Sequence, residues 1–545
     1  MYGKSETEAD KIIRELEEEQ ANRGTFDDLF AQVARRVMPT HDTFQGKNKQ
    51  PGRKRTEWQF DSLAQVANQR FGAAFKSMSI PDSERYHGLQ PEARHLRKND
   101  ETKRYCEEAT DALFAMRYNS RSSYSAQTNE LFECLGTLGT AIMMIDDPAG
   151  RSVNYKACPL SHSWMREGAD GKINRMYRKL EYNADRAVEE FGEAKLPQKI
   201  LEARDKASTQ KFDFYHRVMP NPHIQRDIWG WPGMAYVSDY VSKEGRVHLT
   251  RKGFHTFPFA VARYVTGVGE VYGRSPAMLA LADIKMRNEI KRTVLRAAHR
   301  MAEPILLLGD DANLQPFQMQ PGFRNKGYVK GDGTAMAQQL KWEGDLAPAI
   351  QMLDETGRVI NDIFLVYLFQ ILIETPTMTA TEVLERTREK GILLTPTVGR
   401  FQSEFLGSQI ERELDIASAR NLLPEMPQIL RDAGGLIEIT YDSPLTRAQK
   451  AEQALGFVRT LETILPFAEQ DPTILQRFKL DTILPELAQI NGMPLDWMET
   501  DDDWKKILMQ IQQAKNAEQA AAMAQPLATA AKDAAQARVL SQQAA

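Results

Sequence analysis

The most constraining feature of this chain is a long apolar stripe that stops abruptly, gives way to a short turn-rich segment and then resumes. Leu279, Ala282, Met286, Ile290, Val294, Ala297 and Met301 recur at spacings of three and four. They therefore share one face of a helix that begins near Ser275 and runs about seven turns, roughly 38 Å at 1.5 Å per residue. Pro304 stops it, since proline has no N–H to offer the next turn. Gly309, Gly322, Gly327, Gly331 and Gly333 punctuate a compact insert from Ile305 to Trp342. A second helical pattern then runs through Leu346, Ile350, Leu353, Ile360, Phe364, Val366 or Tyr367, and Ile371. Two long helices flanking a short insert make a hairpin with a decorated tip. The rest of the first helix is basic: between Asp283 and Arg300 it carries Lys285, Arg287, Lys291, Arg292, Arg296 and Arg300 against Asp283 and Glu289, an excess of four positive charges.

The hairpin is embedded in a chain of mixed texture. Ser5 to Val37 reads as two helices, with Thr25 as the N-cap of the second and Pro39 beyond its end. His41 to Arg55 is a basic loop whose Lys47, Lys49, Arg53, Lys54 and Arg55 either touch DNA or a partner or are simply solvated. Asp61 to Met78, Thr102 to Met116 and Gln127 to Leu138 read as helices, and Ala141 to Ile145 as a strand. From Arg151 to Tyr264, β-prone pieces (Lys172 to Lys179, Phe212 to Met219, Met234 to Val241, Phe257 to Tyr264) alternate with turns, and only Asn183 to Phe191 reads as a helix. Long helices do not regularly separate these strands, so the class is α+β, mainly helical, and not a parallel α/β sheet. Thr379-Ala380-Thr381-Glu382 is a capping box opening a helix towards Lys390. Val398 to Asn421 is a further helix, Ile437 to Tyr441 a short strand, and the chain is helical again from Pro444. The Ala/Gln-rich tail from Ala514 has little to bury and stays frayed unless neighbouring subunits hold it.

Composition removes several classes of function. At 545 residues, two to four structural regions are expected. With 70 Lys+Arg against 74 Asp+Glu the net charge is -4, so any contact with nucleic acid must be local. Cys106, Cys134 and Cys158 fit neither a disulfide framework nor a zinc knuckle, which points to a reducing compartment. Met1 to Glu19 is polar and acidic, unlike an export signal. The run Leu365 to Ile373, broken by Gln370, is too short to span a membrane. Gly168 to Lys172 lacks the spacing of a phosphate loop, and Gly267, Gly269 and Gly273 have no βαβ unit around them and read as a strand-to-helix connection. The nine histidines, His216 and His223 included, show no paired metal spacing. Asp310-Asp311 and Asp501-Asp502-Asp503 are open to a divalent metal, but without partner acids they read as loop and helix-start charge. No catalytic, cofactor or metal site is expected.

Several strings, in order, carry a resemblance. They are Val271-Tyr272-Gly273-Arg274-Ser275-Pro276-Ala277-Met278, with Ala280 to Lys285 and Asn288 after it; Met378 to Val383 with Glu385 and Arg386; and Gly399-Arg400 with Gln402 to Leu406. Supporting them are Pro39, Phe60-Asp61-Ser62 with Ala64, Gly136 to Ala141, Phe257-Pro258 and Tyr441 to Leu445. From about Phe26 to Asp503 the chain resembles the head-to-tail connecting (portal) proteins of T7-like and related short-tailed phages. One departure is Arg287, where the family commonly has leucine; it adds charge to the helix face without challenging the fold.

The resemblance implies a dodecameric ring at one capsid vertex, a conduit for double-stranded DNA during packaging and ejection. Its partners would be terminase, scaffolding and capsid proteins, tail adaptor proteins and internal core proteins, with no membrane and no cofactor. It would be located in the virion after assembly in the host cytoplasm. It also implies a wing over residues 1–274, stem helices over 275–303 and 344–374, and a clip over 304–343. Residues 375–435 would return to the wing and channel lining, and 436–545 would form a helical crown. A channel that lets duplex slide should be mixed or predominantly negative, since many bound phosphates would hold the DNA. Lys285, Lys291, Arg292 and Arg296 are the candidates for its few basic positions; the alternative is that they pair with acids of adjacent stem helices. Leu365 to Pro376 is either a channel constriction or a buried helix end. Rival readings of the whole chain are a metal-dependent phage DNA-processing enzyme using Asp310 and Asp311, and an internal ejection protein suited by the helical tail.

Overall fold

The computed structural model describes residues 7–39, 44, 56–82, 84–148, 152–225, 228–308, 318, 320, 322–340, 344–367 and 396–441, with 456, 457, 459–461, 463, 464, 483, 487, 504 and 506–514 beyond them. Two compact units are distinguished, one of residues 1–87 and 110–423 and the other of 88–109 and 424–545.

The first unit opens with helices α1 (Glu8–Asn22) and α2 (Gly24–Val37). A capping box starts α1: Thr7 Oγ1 accepts from Asp10 N at 3.2 Å, and Thr7 N donates back to Asp10 Oδ2 at 3.3 Å. The break before α2 falls at Arg23, not at the expected cap Thr25, which lies inside the helix. Arg23 fixes the break because its guanidinium is buried, donating to Leu160 O at 2.8 Å and lying 4.8 Å from the Trp164 ring centre. Next in the chain come α3 (Leu63–Ser79), then β1 (His87–Pro91) and the first part of α4 (Asp100–Arg117), which fall in the second unit, and α5 (Tyr124–Leu138), back in the first. Strands β2 (Thr140–Asp146), β3 (Asn154–Cys158), β4 (Ser163–Glu167) and β5 (Ile173–Asn183) lead to helices α6 (Ala184–Phe191) and α7 (Gln198–Asp205). The β region closes with β6 (Lys211–Pro220), β7 (Tyr236–Ser242), β8 (Val247–Phe254) and β9 (Phe259–Arg263).

These strands form two antiparallel sheets, ordered β3-β2-β9 and β4-β5-β6-β7-β8. The expected α+β character holds, with three strands and one helix more than the sequence indicated. The added strands β3, β4 and β8 are all at sheet edges; β3 and β8 have exposed positions that blur the apolar alternation, and β4 is only five residues long. The added helix, α7, buries only Ile200 and Ala203.

Alternation along the five-stranded sheet separates two faces. Trp164, Tyr177, Tyr215 and Val241 cluster with Ala9, Ile12, Ile13 and Leu16 of α1. The out-of-phase residues Phe212, Phe214 and Tyr240 bury α6 and α7, while Met165, Met176 and Val218 join the β2 and β9 core with Phe30 of α2. Ion pairs reinforce α1 along its length: Glu8 with Arg251, Asp10 with Arg246 at 2.9 Å, Glu15 with Arg217 at 3.0 Å, and Glu19 with Arg166 Nε at 2.7 Å. Behind them Asp239, wholly buried, accepts from Arg251 at 2.6 Å and Arg217 at 2.7 Å and bonds His248 at 3.0 Å. Burial alone would raise this carboxyl; the three hydrogen bonds outweigh it and hold it far below the usual range.

His216 is a core histidine. It stacks 4.2 Å from Tyr240, bonds Ser238 and accepts from Arg178, and burial with the Arg178 charge keeps it neutral. The three cysteines form no disulfide. Burial pushes the Cys106 thiol up to about 11 and the Cys134 thiol, which Glu130 and Glu133 also disfavour as thiolate, up to about 12. Native protein treated with iodoacetamide at pH 8 is therefore expected to keep Cys106, the buried one of the two, unmodified by mass spectrometry, under conditions where the urea-unfolded chain is alkylated fully. Rapid native labelling of Cys106 would contradict the burial.

The first unit continues through a small hairpin of β10 (Val265–Thr266) and β11 (Gly273–Arg274) into helices α8 (Pro276–Leu279) and α9 (Leu281–Ala302). The glycines at 267, 269 and 273 thus belong to a β-hairpin. After β12 (Leu306–Leu308) and β13 (Ala337–Gln339), which pair antiparallel, comes α10 (Ala347–Ile363). Residues 396–401 are helical, Gln402–Leu406 forms a π turn and α11 (Gly407–Ala419) follows. In the second unit, β1 pairs with β14 (Ile437–Tyr441) beside the short helix α12 (Gln428–Asp432). The capping box at Thr379, most of the run from Leu365 to Pro376, both aspartate clusters and the Ala/Gln-rich tail lie outside the described residues.

Candidate functional site

The candidate site is the hairpin of α9 and α10, and its geometry begins at its mounting. Ser275 caps α8, its Oγ accepting from Met278 N at 3.0 Å and donating to Thr137 O at 2.7 Å. Pro276 occupies the first helical turn, where a missing N–H costs nothing. Just before them Gly273 donates to Thr140 Oγ1 at 2.8 Å, and Tyr264 donates to Gly139 O at 2.9 Å. A Cβ on Gly273 would stand 2.2 Å from Gly139 O, so two strings quoted separately from the sequence, Gly136 to Ala141 and Val271 to Met278, are one backbone-to-backbone contact. Phe257-Pro258 meets the same strand, with Ile145 N donating to Pro258 O at 2.9 Å.

A second anchor holds α9 farther along. Asn288 Oδ1 accepts from Phe60 N at 2.8 Å and Asp61 N at 3.3 Å, while its Nδ2 donates to Trp58 O at 3.2 Å. Asp61 bonds Arg287 through Oδ2 and Lys291 through Oδ1 at 2.8 Å. Arg287 also donates to Leu353 O and its guanidinium lies against Gly357, so it ties α9 to α10 as well as to the body. The residue that departs from the family pattern is thus a structural clamp, and its partner acid was legible only as part of Phe60-Asp61-Ser62.

Burial would raise the Asp61 carboxyl, but the hydrogen bonds from Lys291 and Arg287 outweigh it and place it below the ordinary carboxylate range. A depressed carboxyl stabilises fully above its unfolded value near 3.9 and loses that contribution as pH falls through its folded value. Asp61→Asn is expected to lower stability at pH 7 by about 1–3 kcal/mol, with the gap from the parent closing below about pH 4. Denaturant titrations at pH 7 and pH 3 measure both; a pH-independent gap would remove the ion pair from the mounting.

The four basic candidates separate in space. Lys285 Nζ donates to Gln32 Oε1 at 2.6 Å and Lys291 is held by Asp61. Arg292 lies 3.5 Å from Glu289 and 5.5 Å from the Phe60 ring centre. Arg296 is exposed and makes no hydrogen bond or ion pair among the described residues. The apolar stripe is also divided: Ala297 is buried, Ile290 and Val294 are half-buried, and Leu279, Met286 and Met301 are exposed.

The string Gly399 to Leu406 has its own geometry. The π turn rotates the helix so that Phe401 and Phe405 stack at 4.9 Å, both buried, while Glu404 receives two 2.8 Å bonds from Arg263, which also pairs with Glu167. Downstream, Glu413 and Arg117 are both wholly inaccessible and form a two-point ion pair. Arg117 also donates to Tyr86 at 2.5 Å and to neutral His87 at 3.0 Å, and Glu413 accepts from Tyr155 at 2.7 Å and Gln409 at 2.8 Å. Both members of the central pair are sealed from solvent, and only His87 Nδ1 in this cluster is left without a hydrogen-bond partner among the described residues. No group of three His, Cys, Asp or Glu suited to a metal occurs among the described residues.

The sequence profile described as "Bacteriophage head to tail connecting protein" matches residues 9–498. The chain belongs to that family. Among curated relatives, the connector is 25% identical over 421 residues to the portal protein of Salmonella phage epsilon15, covering 74% of this chain and 73% of the relative. It is 25% identical over 427 residues to a probable portal protein of Bordetella phage BPP-1, covering 77% and 76%. The neck of a native gene transfer agent particle, computed with C12 symmetry, is similar at a TM-score of 0.37 and 13% identity, covering 78% of this chain and 94% of that one. The connector is a phage portal-class structural protein of the head–tail junction, a class without enzymatic activity. No helix among the described residues is long and apolar enough to cross a membrane.

Proposed function

We propose that copies of this connector close into a ring, twelve by the family resemblance, at one capsid vertex, and that the ring is a passive conduit for double-stranded DNA. The observation that carries this reading is the doubly anchored hairpin. Asp61, Asn288 and the Gly139–Gly273 contact hold two helices rigidly against the body, as a subunit must if its repeats are to enclose a constant bore. Residues 275–303 and 344–374 act as stem, 304–343 as clip, 1–274 and 375–435 as wing and channel lining, and 436–545 as crown. Terminase and tail adaptor proteins dock on the ring's two ends, and scaffolding, capsid and internal core proteins surround it during assembly in the host cytoplasm. Energy for packaging comes from the terminase.

The channel wall is of mixed or negative character, because a bore lined by many cations would grip the duplex through counterion release. Three of the four candidate cations already have partners within the chain, which suits a weakly basic bore. Negative-stain microscopy of the purified full-length chain is expected to show centrally pierced rings; a field of monomers or filaments would sink the reading.

A further inference from the structure

A pocket of about 290 Å³ opens beside the second anchor of the hairpin. Arg35 and Arg36, on the last turn of α2, line it with Trp58 and Gln59, against the buried Ile284 and Ile360. Arg36 Nη1 donates to Gln32 O at 2.9 Å, and the Arg35 guanidinium lies 4.7 Å from the Trp58 ring centre; neither meets a carboxylate among the described residues. The two acids that line the pocket are engaged elsewhere, Asp61 by Arg287 and Lys291, and Glu289 by Arg292 at 3.5 Å. Positive charge therefore prevails there. Burial and the Arg35 charge both disfavour the Arg36 cation, and Glu289 offsets them only in part, so an incoming anion would be stabilised. Trp58 is 65% exposed although its turn is fixed: Gln59 N donates to Thr56 O at 3.0 Å, and Asn288 Nδ2 to Trp58 O at 3.2 Å. Folded chains mostly cover tryptophan, so a fixed turn that presents one beside two guanidinia without acids is a built platform.

We infer that this pocket binds an unpaired nucleotide, its phosphate on Arg35 and Arg36 and its base on the open face of Trp58. The site lies within one subunit and does not depend on the ring. Its volume is at the lower end of ligand-sized cavities, about 300 Å³, which suits a single nucleotide. A guanidinium stacked on an aromatic ring keeps its N–H edge free, so Arg35 can face Trp58 and still meet one phosphate oxygen while Arg36 meets another. Stacking supplies the rest. Every base has a π face to offer, but inside a duplex both faces are covered by neighbouring bases. The site therefore passes over intact duplex and takes a free nucleotide or the single-stranded end of a DNA. An acidic peptide would satisfy the arginines yet leave the indole uncovered, so the nucleotide uses more of what the pocket presents.

The test is fluorescence anisotropy of a fluorescein-labelled strand of eight deoxyadenosines on the full-length chain at 0.1 M salt. Competitors are dAMP, inorganic phosphate, hexaglutamate and a blunt duplex, and circular dichroism checks folding. The parent is expected to bind the strand, and dAMP to displace it at concentrations where the other three do not. Trp58→Leu, at an exposed position, is expected to stay folded and to weaken strand and dAMP by about ten-fold or more, with Trp58→Phe restoring most of the loss. Arg35→Ala/Arg36→Ala is expected to abolish both. A strand that binds far more tightly than dAMP identifies a strand end as the ligand, and equal affinities identify a free nucleotide; either supports the site. A parent that binds neither probe overturns it, as does a duplex or hexaglutamate that competes as well as dAMP. Binding that survives both sets of substitutions lies elsewhere and overturns it too. Loss with the arginines alone, Trp58→Leu being unchanged, leaves a simple anion site and overturns the nucleotide.

Discussion

Arg117→Met is expected to destabilise the first unit by about 3–5 kcal/mol, because it strands Glu413 as a buried carboxylate with only Tyr155 and Gln409 donating to it. The pair is wholly inaccessible, so water cannot replace the lost guanidinium. Arg117 itself is kept charged against its burial by Glu413, which drives its pKa well above the usual value. Breaking the pair from one side should therefore cost far more than removing both members. Arg117→Met/Glu413→Leu is expected to regain most of the loss, since apolar replacements of similar size have no charge to desolvate. Urea titrations of the parent, both single variants and the double variant complete the cycle. Additive single and double losses would mean that the two residues act independently, against the geometry.

Gly139→Ala is the second large effect, at about 2–5 kcal/mol from left-handed strain and overpacking combined. Gly139 closes α5 at φ +71, a conformation that costs any residue with a Cβ. A Cβ there would also stand 2.5 Å from Arg274 C and 2.6 Å from Ser275 N, both backbone atoms that cannot swing aside. Since those atoms lead directly into α8, the strain falls on the base of the hairpin. The expected result is a lower denaturation midpoint together with loss of rings in the soluble fraction that remains folded. An alanine variant as stable as the parent would refute the close approach.

The hairpin was legible because its signal is local: seven apolar residues at helical spacing, a proline stop and glycine punctuation all lie within one stretch of sequence. What covers that stripe was not. Periodicity reports that Leu279 and Ala297 share a face, but Leu279 sits on α8, before the break at Ala280, and is exposed, whereas Ala297 is buried. The pairs that mount the hairpin are separated by 226 residues for Asp61 and Arg287, and the Arg117–Glu413 pair by 296. Charged residues so far apart give no periodic signal, so only the family strings hinted at Asp61 and Asn288, and nothing hinted at Arg117. Arg287 was read as added surface charge because its helix position is visible in sequence and its partner is not.

The strapped helix α1 has a consequence for synthesis. Its ion-pair partners Arg246 and Arg251 follow Asp10 and Glu8 by 236 and 243 residues. A ribosome adding roughly 5–20 residues per second leaves α1 waiting for about 12–50 s before β8 exists. During that interval Ile12, Ile13 and Leu16 gain their cover strand by strand, as Trp164, Tyr177, Tyr215 and Val241 emerge, so the apolar face docks before the last ion pairs close. The pairs of Glu8 and Asp10 are thus the last straps on a helix that the earlier strands already hold.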